Sequence, residues 1–215
     1  MKKLLFWMVL IVGLVALIGS CAKKDDDSSA TTATKPTTFV STDTAASGSL
    51  TVGSETMSGT YASACNTSVT IMIAGGYLPS DAKAWGGVVV VSGNDNLTQE
   101  TVSYTDTSCT SVSHRIRTIY DNITVGSASG SNYPLTLTKA RSLVTAGTTA
   151  GETYVEALWR GSINVTVGTE YTDTYTGSTN PRYSLINLSS TTLYQSDVSE
   201  SGTPSSVGNT ALTKQ

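Results

Sequence analysis

The sequence has few of the residues that build catalytic and metal centres. Its 215 residues include one histidine, His114, and three cysteines, and only 13% of them are charged. It contains no Cys-x-x-Cys pair, no Gly-x-Ser-x-Gly turn and no glycine-rich phosphate loop. One histidine without a close cysteine pair cannot complete a zinc shell. We therefore expect neither an enzyme nor a bound metal or cofactor.

Long hydrophobic stretches are also absent, except at the start of the chain. Leu4–Ile18 is apolar and follows Lys2 and Lys3. It is shorter than the roughly twenty residues that span a bilayer. A basic start, a short apolar core and small residues after it are typical of an export signal. We predict that residues 1–20 form a signal peptide, with an uncleaved anchor helix as the alternative.

The end of this apolar stretch is Ile18-Gly19-Ser20-Cys21, which resembles the lipobox of bacterial lipoproteins. The resemblance implies that the Cys21 thiol carries a diacylglyceryl group, that the signal is cut before Cys21, and that the new amine is acylated. Two or more acyl chains anchor a protein stably, so we expect a membrane partner through Cys21. Ala22 stands where an aspartate retains some lipoproteins at the inner membrane. The resemblance thus implies a lipid-anchored protein of the bacterial cell envelope, at the outer membrane.

Residues 21–47 are rich in serine and threonine and nearly free of aliphatic residues. Such a segment cannot bury enough apolar surface to offset the entropy of ordering it, so we predict a disordered, lipidated tether. Asp25-Asp26-Asp27 is interpreted as a solvated charge run, since no further ligands are spaced to close a metal shell. From Cys21 onwards the chain has 11 lysines and arginines against 16 aspartates and glutamates. That balance argues against nucleic acid as a partner.

Residues 48–215 are long enough for one domain with its own core. The 36 threonines of the chain, and its regularly spaced valines, isoleucines and tyrosines, favour strands. No stretch of ten residues shows a convincing helical period. Turn residues such as Gly93-Asn94-Asp95-Asn96 separate the apolar runs, which is typical of hairpins. We predict an all-β domain, a single antiparallel up-and-down barrel of about eight strands.

The predicted strands follow the runs of alternating or continuous apolar residues. They are GTYASA, SVTIMIAGG, WGGVVVVSG, LTQETVSYT, SVSHRIRTIYDNITVG, YPLTLTKARSL, ETYVEALWRGSINVTVG, RYSLINL, TTLYQSD and a short last one, TALTK.

Short motifs in this domain resemble bacterial secreted lipocalin-like proteins. Gly59-Thr60-Tyr61 opens the first core strand, where that family has Gly-x-Trp. The resemblance implies a lipocalin-like barrel over residues 48–215, with Gly59 and Tyr61 as structural residues and Tyr61 pointing inward near the closed end. An arginine of the last strand packs over the tryptophan in that family. Lys214 and Arg182 are poor candidates for its counterpart.

Cys65 and Cys109 remain once Cys21 is assigned to lipid. The segments that carry them, GTYASAC and SYTDTSCTS, are similar to the cysteine motifs of the same family. An exported chain leaves the reducing cytosol, and we predict a structural disulfide between the two residues. A redox or metal pair is the alternative. The bond would close a loop of about 45 residues and stabilise the fold by at most about 4 kcal/mol.

The remaining candidates for catalysis have structural interpretations. His114 is predicted to be an ordinary strand residue, because no nucleophile and orienting partner can be assigned to it. Glu152 and Glu156 are four apart and would lie on one side of a strand, without a second pattern that makes a hydrolase site.

Four cations are candidates for an anion site. Arg115 and Arg117 share one face of a predicted strand, and Lys139 and Arg141 share a face of another. If those strands pair, they would form a small patch for a lipid phosphate or a carboxylate. The alternative is a solvated outer face on which the cations pair with glutamate and aspartate.

Two functions from different classes agree with these features. The first is binding of a small apolar ligand, since an eight-stranded barrel is just wide enough for side chains or one small ligand. The second is an envelope surface interaction or structural protein with a filled barrel and no ligand. The two differ in whether the lumen is empty, which depends on the strand register.

Overall fold

A computed structural model describes residues 38–174 and 180–215. The predicted signal peptide 1–20, Cys21 and most of the predicted tether lie outside the described residues. The strands are β1 (Leu50–Val52), β2 (Glu55–Met57), β3 (Thr60–Ala62), β4 (Ala84–Val91), β5 (Leu97–Tyr104), β6 (Val112–Val125), β7 (Tyr133–Ala146), β8 (Glu170–Thr174), β9 (Arg182–Leu188), β10 (Thr192–Gln195) and β11 (Leu212–Lys214), and the helices are α1 (Thr70–Ala74) and α2 (Thr149–Leu158).

Eight of the strands close into an antiparallel barrel. The circuit runs β3, β4, β5, β6, β7, β9, β10 and β11, and β11 pairs back to β3. Strands adjacent in this circuit follow one another along the chain, so the predicted up-and-down barrel of about eight strands is confirmed. β8 is an addition that pairs with residues 141–145 of β7. β1 and β2 form a separate hairpin.

The hairpin of β4 and β5 shows why a continuous valine run forms a strand here. Pairing extends from Ala84 opposite Tyr104 to Val91 opposite Leu97, and the predicted turn between the strands is closed by Ser92 N–H donating to the Asn96 carbonyl at 3.1 Å. Successive residues of a strand point to opposite faces. All four residues from 88 to 91 are buried, because protein covers both faces of β4.

One end of the barrel is filled with apolar side chains. Tyr61 of β3, Val89 of β4 and Leu135 of β7 belong to one buried cluster, and the β1–β2 hairpin adds Leu50 and Met57 to it. Close packing of this kind supplies most of the favourable free energy of folding. The filled end of the lumen therefore forms the main core.

The described part of the predicted tether, residues 38–47, lies against the outer face of the barrel. Val40 is buried beside Val88 and Val102, and its N–H donates to the Ser63 carbonyl at 3.0 Å. A Cβ added to Gly86 would lie 2.3 Å from Val40, so only glycine allows this close approach. The packed domain thus begins before the predicted boundary at residue 48.

Two predicted strands are wrong, because they contain helices. The run ETYVEALWRGSINVTVG begins within α2, where Thr148 caps the helix by accepting from the Gly151 N–H at 3.0 Å. Gly151, Tyr154, Val155 and Leu158 lie one helical turn apart, and the first and third are buried. The run SVTIMIAGG contains α1, whose β-branched residues favour strands by propensity alone. The short strands β1, β2 and β8 were not predicted.

Candidate binding site in the barrel lumen

The lumen changes from apolar to polar along the barrel. On β4 the inward positions run from Val89, at the filled end, through Gly87 to Trp85. Their partners on β5 are Gln99, Thr101 and Ser103. Gly87 has no side chain, and Thr101 is exposed although it faces inward. The lumen is therefore open at this level.

A cleft of about 730 Å³ opens beside these residues. Its walls are the inward side of β4 and the long loop that joins β10 to β11. This volume lies within the range of small-molecule sites, about 300 to 1,000 Å³. The lining residues are Trp85, Gly87, Gln195, Ser196, Asp197, Val198, Ser199, Ser201, Gly202, Thr203, Pro204, Ser206, Val207, Gly208, Thr210 and Leu212.

A second cavity of about 310 Å³ continues the cleft toward the filled end. The two share Gly87, Gln195, Ser196, Asp197, Val198 and Leu212, and the second adds the ring of Tyr120. The walls of the continuous space are mixed, since Val198, Leu212 and the rings of Trp85 and Tyr120 lie beside Gln195, Asp197 and the serines and threonines of the loop.

Two buried polar atoms on these walls have no hydrogen-bond partner among the described residues. They are the indole Nε1 of Trp85 and the side-chain Oε1 of Gln195. A buried polar group left unpaired costs about 1–3 kcal/mol, and most such groups in folded proteins are satisfied. A donor and an acceptor beside one cleft are therefore left without a protein partner, although both atoms are covered from solvent.

A smaller cavity of about 140 Å³ lies at the inner end of this space. Tyr120 and Val198 connect it to the cleft, and its other walls are Lys139, Arg182 and Glu200. Arg182 forms an ion pair with Glu200. Burial lowers the pKa of Lys139, while the nearby carboxylates of Asp173 and Glu200 oppose that shift.

The residues predicted to be structural lie at the filled end. Tyr61 is 1% exposed in the main core, and Gly59 has a φ of 84°, which favours glycine. The Lys214 ammonium lies 5.9 Å from the centre of the Tyr61 ring. β11 pairs Lys214 directly with Tyr61, so a cation of the last strand lies beside this ring, while its correspondence to the family's packing arginine stays untested.

The predicted disulfide is confirmed: Cys65 and Cys109 are bonded, with their Cα atoms 6.0 Å apart. Cys109 has a φ of 56°. The Asp106 carboxylate shapes its loop by accepting from the Ser108 hydroxyl at 2.7 Å and the Ser111 N–H at 2.6 Å. These hydrogen bonds hold the pKa of Asp106 well below its usual value.

His114 is a buried strand residue on the inward face of β6. Its Nδ1 lies 2.6 Å from the Ser103 hydroxyl, and its ring centre lies 4.8 Å from that of Tyr154. Burial lowers the pKa of His114 to about 4. Ser103 and His114 are 0% and 1% exposed, so this pair is closed to substrate.

Arg115 and Arg117 form ion pairs on the outer face. Their guanidinium groups lie 2.9 and 2.6 Å from Asp43. Both also flank the buried carboxylate of Glu100, which accepts from the Thr42 hydroxyl at 2.5 Å. Arg115 and Arg117 are therefore paired with acidic groups on the outer face. This agrees with the alternative prediction, in which the cations pair with glutamate and aspartate.

Lys139 and Arg141 do not share a face. Lys139 pairs with Tyr120 and Arg141 with Ile119, and the register shift between them leaves Ala140 as an extra residue. Such a bulge reverses the side to which the following residues point. Lys139 therefore faces the lumen while Arg141 is exposed outside.

Glu152 and Glu156 lie on α2, so the prediction that they share a side of a strand is wrong. The Glu156 carboxylate accepts from the Val165 N–H at 3.1 Å and thereby holds the segment that follows the helix. Glu156 therefore has a structural role, which is to hold the backbone of this segment.

The residues that line the cleft were not predicted from sequence. A signal exists in Trp85-Gly86-Gly87, since glycines inside a strand mark close approach of another group or space for a ligand. No comparable signal marks Gln195 or Glu200, which reach the lumen through the register of β10 and the course of the loop after it.

No protein-family model matches the chain, and no curated protein is significantly similar to it. Membership of the lipocalin-like family stays a prediction. Among the described residues, no helix has the length and apolar character needed to cross a bilayer. Within residues 38–174 and 180–215, no three histidine, cysteine or acidic side chains cluster as metal ligands do.

Proposed function

We propose that the protein is a lipid-anchored binding protein of the bacterial cell envelope, which holds one small, mainly apolar ligand in its barrel. The observation that carries this proposal is the pair of unpartnered polar atoms, Trp85 Nε1 and Gln195 Oε1, in a cleft of about 730 Å³. Polar groups placed in this way in a binding site fix the orientation of a ligand.

The walls define the kind of ligand. Val89, Val198, Leu212 and the ring of Tyr120 offer apolar contact, and polar side chains such as Gln99 and Asp197 lie beside them, so the ligand combines an apolar body with polar groups. The indole N–H of Trp85 donates a hydrogen bond and the Gln195 oxygen accepts one. A ligand with one polar group near its middle or outer end can accept the hydrogen bond from the Trp85 N–H and donate one to the Gln195 oxygen.

The location follows from the N-terminal sequence. Ile18-Gly19-Ser20-Cys21 supports acylation at Cys21, and the described chain starts at Thr38, whose carbonyl accepts from the Cys65 N–H at 2.7 Å. Sixteen residues, 22–37, lie between the proposed anchor and the packed domain.

A second candidate is an interaction protein whose barrel holds no ligand. Exposed apolar side chains on the helices favour it: Ile71 of α1 is 71% exposed, Leu158 of α2 is 47% exposed, and Tyr77 between them is 48% exposed. The Tyr154 hydroxyl donates to the Tyr77 carbonyl at 2.7 Å, which joins the two helical segments into one surface.

The test is a titration of the mature protein with the neutral fluorescent dye Nile red. A ligand site predicts saturable binding of about one dye per chain and displacement by a lipid extract from the same envelope. Native mass spectrometry of protein purified from its membrane would then show the retained ligand. Binding that never saturates, with no retained mass, would favour the interaction protein.

A further inference from the structure

We propose that the surface formed by α1, α2 and the loop between α1 and β4 docks on an anionic lipid bilayer, the one in which the acyl anchor lies. Ile71, Tyr77 and Leu158 enter the head-group region, and two exposed cations lie beside the lipid phosphates. The inference rests on the acylation of Cys21 in the proposed function. It adds the face of the barrel that meets the membrane.

The apolar side chains of this surface lie on two helical segments that contact each other. Ile71 is 71% exposed, Tyr77 is 48% exposed and Leu158 is 47% exposed. The Tyr154 hydroxyl donates to the Tyr77 carbonyl at 2.7 Å, and Leu158 lies one helical turn beyond Tyr154 on α2. Soluble monomers rarely expose apolar groups side by side unless another apolar phase or a partner covers them.

The short helix α1 is apolar on both of its sides. Met72 and Ile73 pack against a small buried cluster that includes Val69 and Leu78. Ile71 points away from that cluster, as its exposure shows. A helix that is apolar toward the protein and also away from it needs a second apolar environment.

The described chain enters the fold at this same end of the barrel. The Thr38 carbonyl accepts from the Cys65 N–H at 2.7 Å, and Cys65 lies five residues before α1. From there the segment runs along the outer face to Ser47, which pairs with Ser92 at the filled end. The sequence that leads back to Cys21 therefore leaves the barrel beside α1, and this relationship identifies the anchoring bilayer as the occupant of the surface.

The charges near the surface suit an anionic membrane. Lys83 and Arg160 are exposed there, whereas Glu152 is half-buried. Asp81 accepts from two hydroxyl groups at 2.6 and 2.7 Å, and Glu156 accepts from a backbone N–H at 3.1 Å. These two carboxylates are thus used within the protein, while the exposed cations can approach lipid phosphates.

The surface is small, and the acyl anchor explains why a small surface is enough. Three side chains alone would hold a protein on a bilayer only weakly, but an anchored chain makes this second contact intramolecular and so raises its effective concentration. A stable interface with another protein buries about 800 Å² on each partner, which is more than three partly exposed side chains supply. A tyrosine ring is also well suited to the membrane–water interface.

The experiment supplies the anchor chemically. The mature chain is joined to a maleimide lipid through Cys21, the one thiol that remains when Cys65 and Cys109 are bonded. The vesicles consist of phosphatidylethanolamine and phosphatidylglycerol. Half of the preparations carry brominated acyl chains, which quench tryptophan fluorescence on contact.

Two variants report on the two ends of the barrel. Tyr77→Trp places the probe in the proposed surface, and Ser190→Trp places it in the exposed turn between β9 and β10 at the filled end. Bromination should remove about half or more of the emission that Tyr77→Trp adds to the wild type, and less than about a tenth of the emission that Ser190→Trp adds.

A second set of variants tests the side chains themselves. Ile71→Ser with Leu158→Ser, added to Tyr77→Trp, should lower the quenching at least about twofold and leave the melting temperature unchanged, because both side chains are exposed. Lys83→Gln with Arg160→Gln should lower the quenching only in vesicles that contain phosphatidylglycerol.

The outcomes separate this surface from the proposed function. Equal quenching at positions 77 and 190, or none at either, would overturn the membrane surface whatever the cell attaches to Cys21. An unquenched Tyr77→Trp chain that sediments as a dimer would overturn it in favour of a second copy. Absence of lipid on the protein from its own envelope would instead overturn the proposed anchor. Nile red binding by the chain with Ile71→Ser and Leu158→Ser tests the ligand site separately.

Discussion

The Lys214 ammonium lies 5.9 Å from the centre of the Tyr61 ring, and its Nζ donates to the Ser58 hydroxyl at 3.2 Å. The last strand of the barrel thereby covers the aromatic ring of the first. A cation in this position contributes about 0.5–1 kcal/mol, since 5.9 Å is near the limit of a cation–π contact. The contact joins the first and the last strand of the barrel, β3 and β11, at the point where the barrel closes.

Tyr61→Ala should lower the free energy of unfolding by about 3–5 kcal/mol, because it removes a large ring that is 1% exposed in the core. Tyr61→Trp should be tolerated better, as it keeps an aromatic ring beside Lys214. Urea unfolding followed by far-ultraviolet circular dichroism measures both. No loss of stability in Tyr61→Ala would contradict the packing described.

Lys214→Met isolates the charge from the apolar stem. We expect a loss of about 1 kcal/mol, and a coupling of about 0.5–1 kcal/mol with Tyr61→Leu in a double-mutant cycle. Lys83, which is exposed, provides the matched control, and Lys83→Met should change stability by less than about 0.5 kcal/mol. Zero coupling would mean that Lys214 and Tyr61 act independently.

The disulfide should stabilise the domain through its long loop. Cys65 and Cys109 are 44 residues apart, which corresponds to about 4 kcal/mol in the chain-entropy account. The double variant Cys65→Ala with Cys109→Ala should lose about 2–4 kcal/mol of unfolding free energy. Thiol titration of unreduced protein from the envelope should find neither cysteine free. Two reactive thiols there would contradict the bond.

His114 should make stability depend on pH between about 6.5 and 4. Burial lowers its pKa in the folded protein to about 4, whereas an unfolded histidine titrates near 6.5. The unfolded chain therefore binds the proton first, and stability is lost as the pH falls through this window. The loss approaches about 3 kcal/mol at the lower end.

His114→Gln isolates this effect, because glutamine can hydrogen-bond to Ser103 but does not titrate. The difference in unfolding free energy between wild type and His114→Gln, measured in urea at several values of pH, should shrink as the pH falls from 6.5 to 4. A constant difference would mean that His114 is accessible to protons in the folded state.

The barrel strands could be predicted because their sequence patterns match their burial. β5, β6, β7 and β9 follow recognisable runs between turn residues, and the four valines of β4 are buried on both faces. The helix α2 was missed because threonine, glycine and valine lower its helical propensity. Its stability comes from packing, since a Cβ on Gly151 would lie 2.1 Å from the Ser113 carbonyl.

The candidate site could not be predicted, because its parts are far apart in the chain. Trp85 and Gln195 line one cleft only through the closure of the barrel, and Glu200 reaches Arg182 only through the course of one loop. The bulge at Ala140 sends Lys139 inward and Arg141 outward, whereas a strict alternation of faces puts both on one side. A single extra residue thus decides which cation enters the lumen.

Trp85→Phe and Trp159→Phe form a matched pair for the ligand site, since each removes one indole N–H and leaves an aromatic ring. The Trp85 N–H has no partner among the described residues, so its loss should weaken Nile red binding or ligand retention and leave stability unchanged or higher. The Trp159 N–H donates to Asp173, so its loss should cost about 1.5–3 kcal/mol of stability and leave Nile red binding unchanged.

Calorimetric melting and dye titration of the two variants distinguish these effects. Equal effects of the two substitutions on dye binding would contradict a ligand site at Trp85. A large loss of stability in Trp85→Phe would mean that its N–H has a structural partner after all.

Cys21→Ala tests the proposed anchor. The resemblance to a lipobox predicts that the Cys21 thiol is acylated. In bacterial lipoproteins with this motif, the signal peptide is cut after that acylation. The variant should accumulate as an uncut precursor or as unacylated protein in the soluble fraction, which fractionation and intact mass measurement can show. Ser20→Ala is the control, because alanine is also small, and it should be processed normally. If the Cys21→Ala protein is still cut and still carries a lipid-sized mass, another residue bears the lipid, and the barrel's place at the membrane rests on a different attachment.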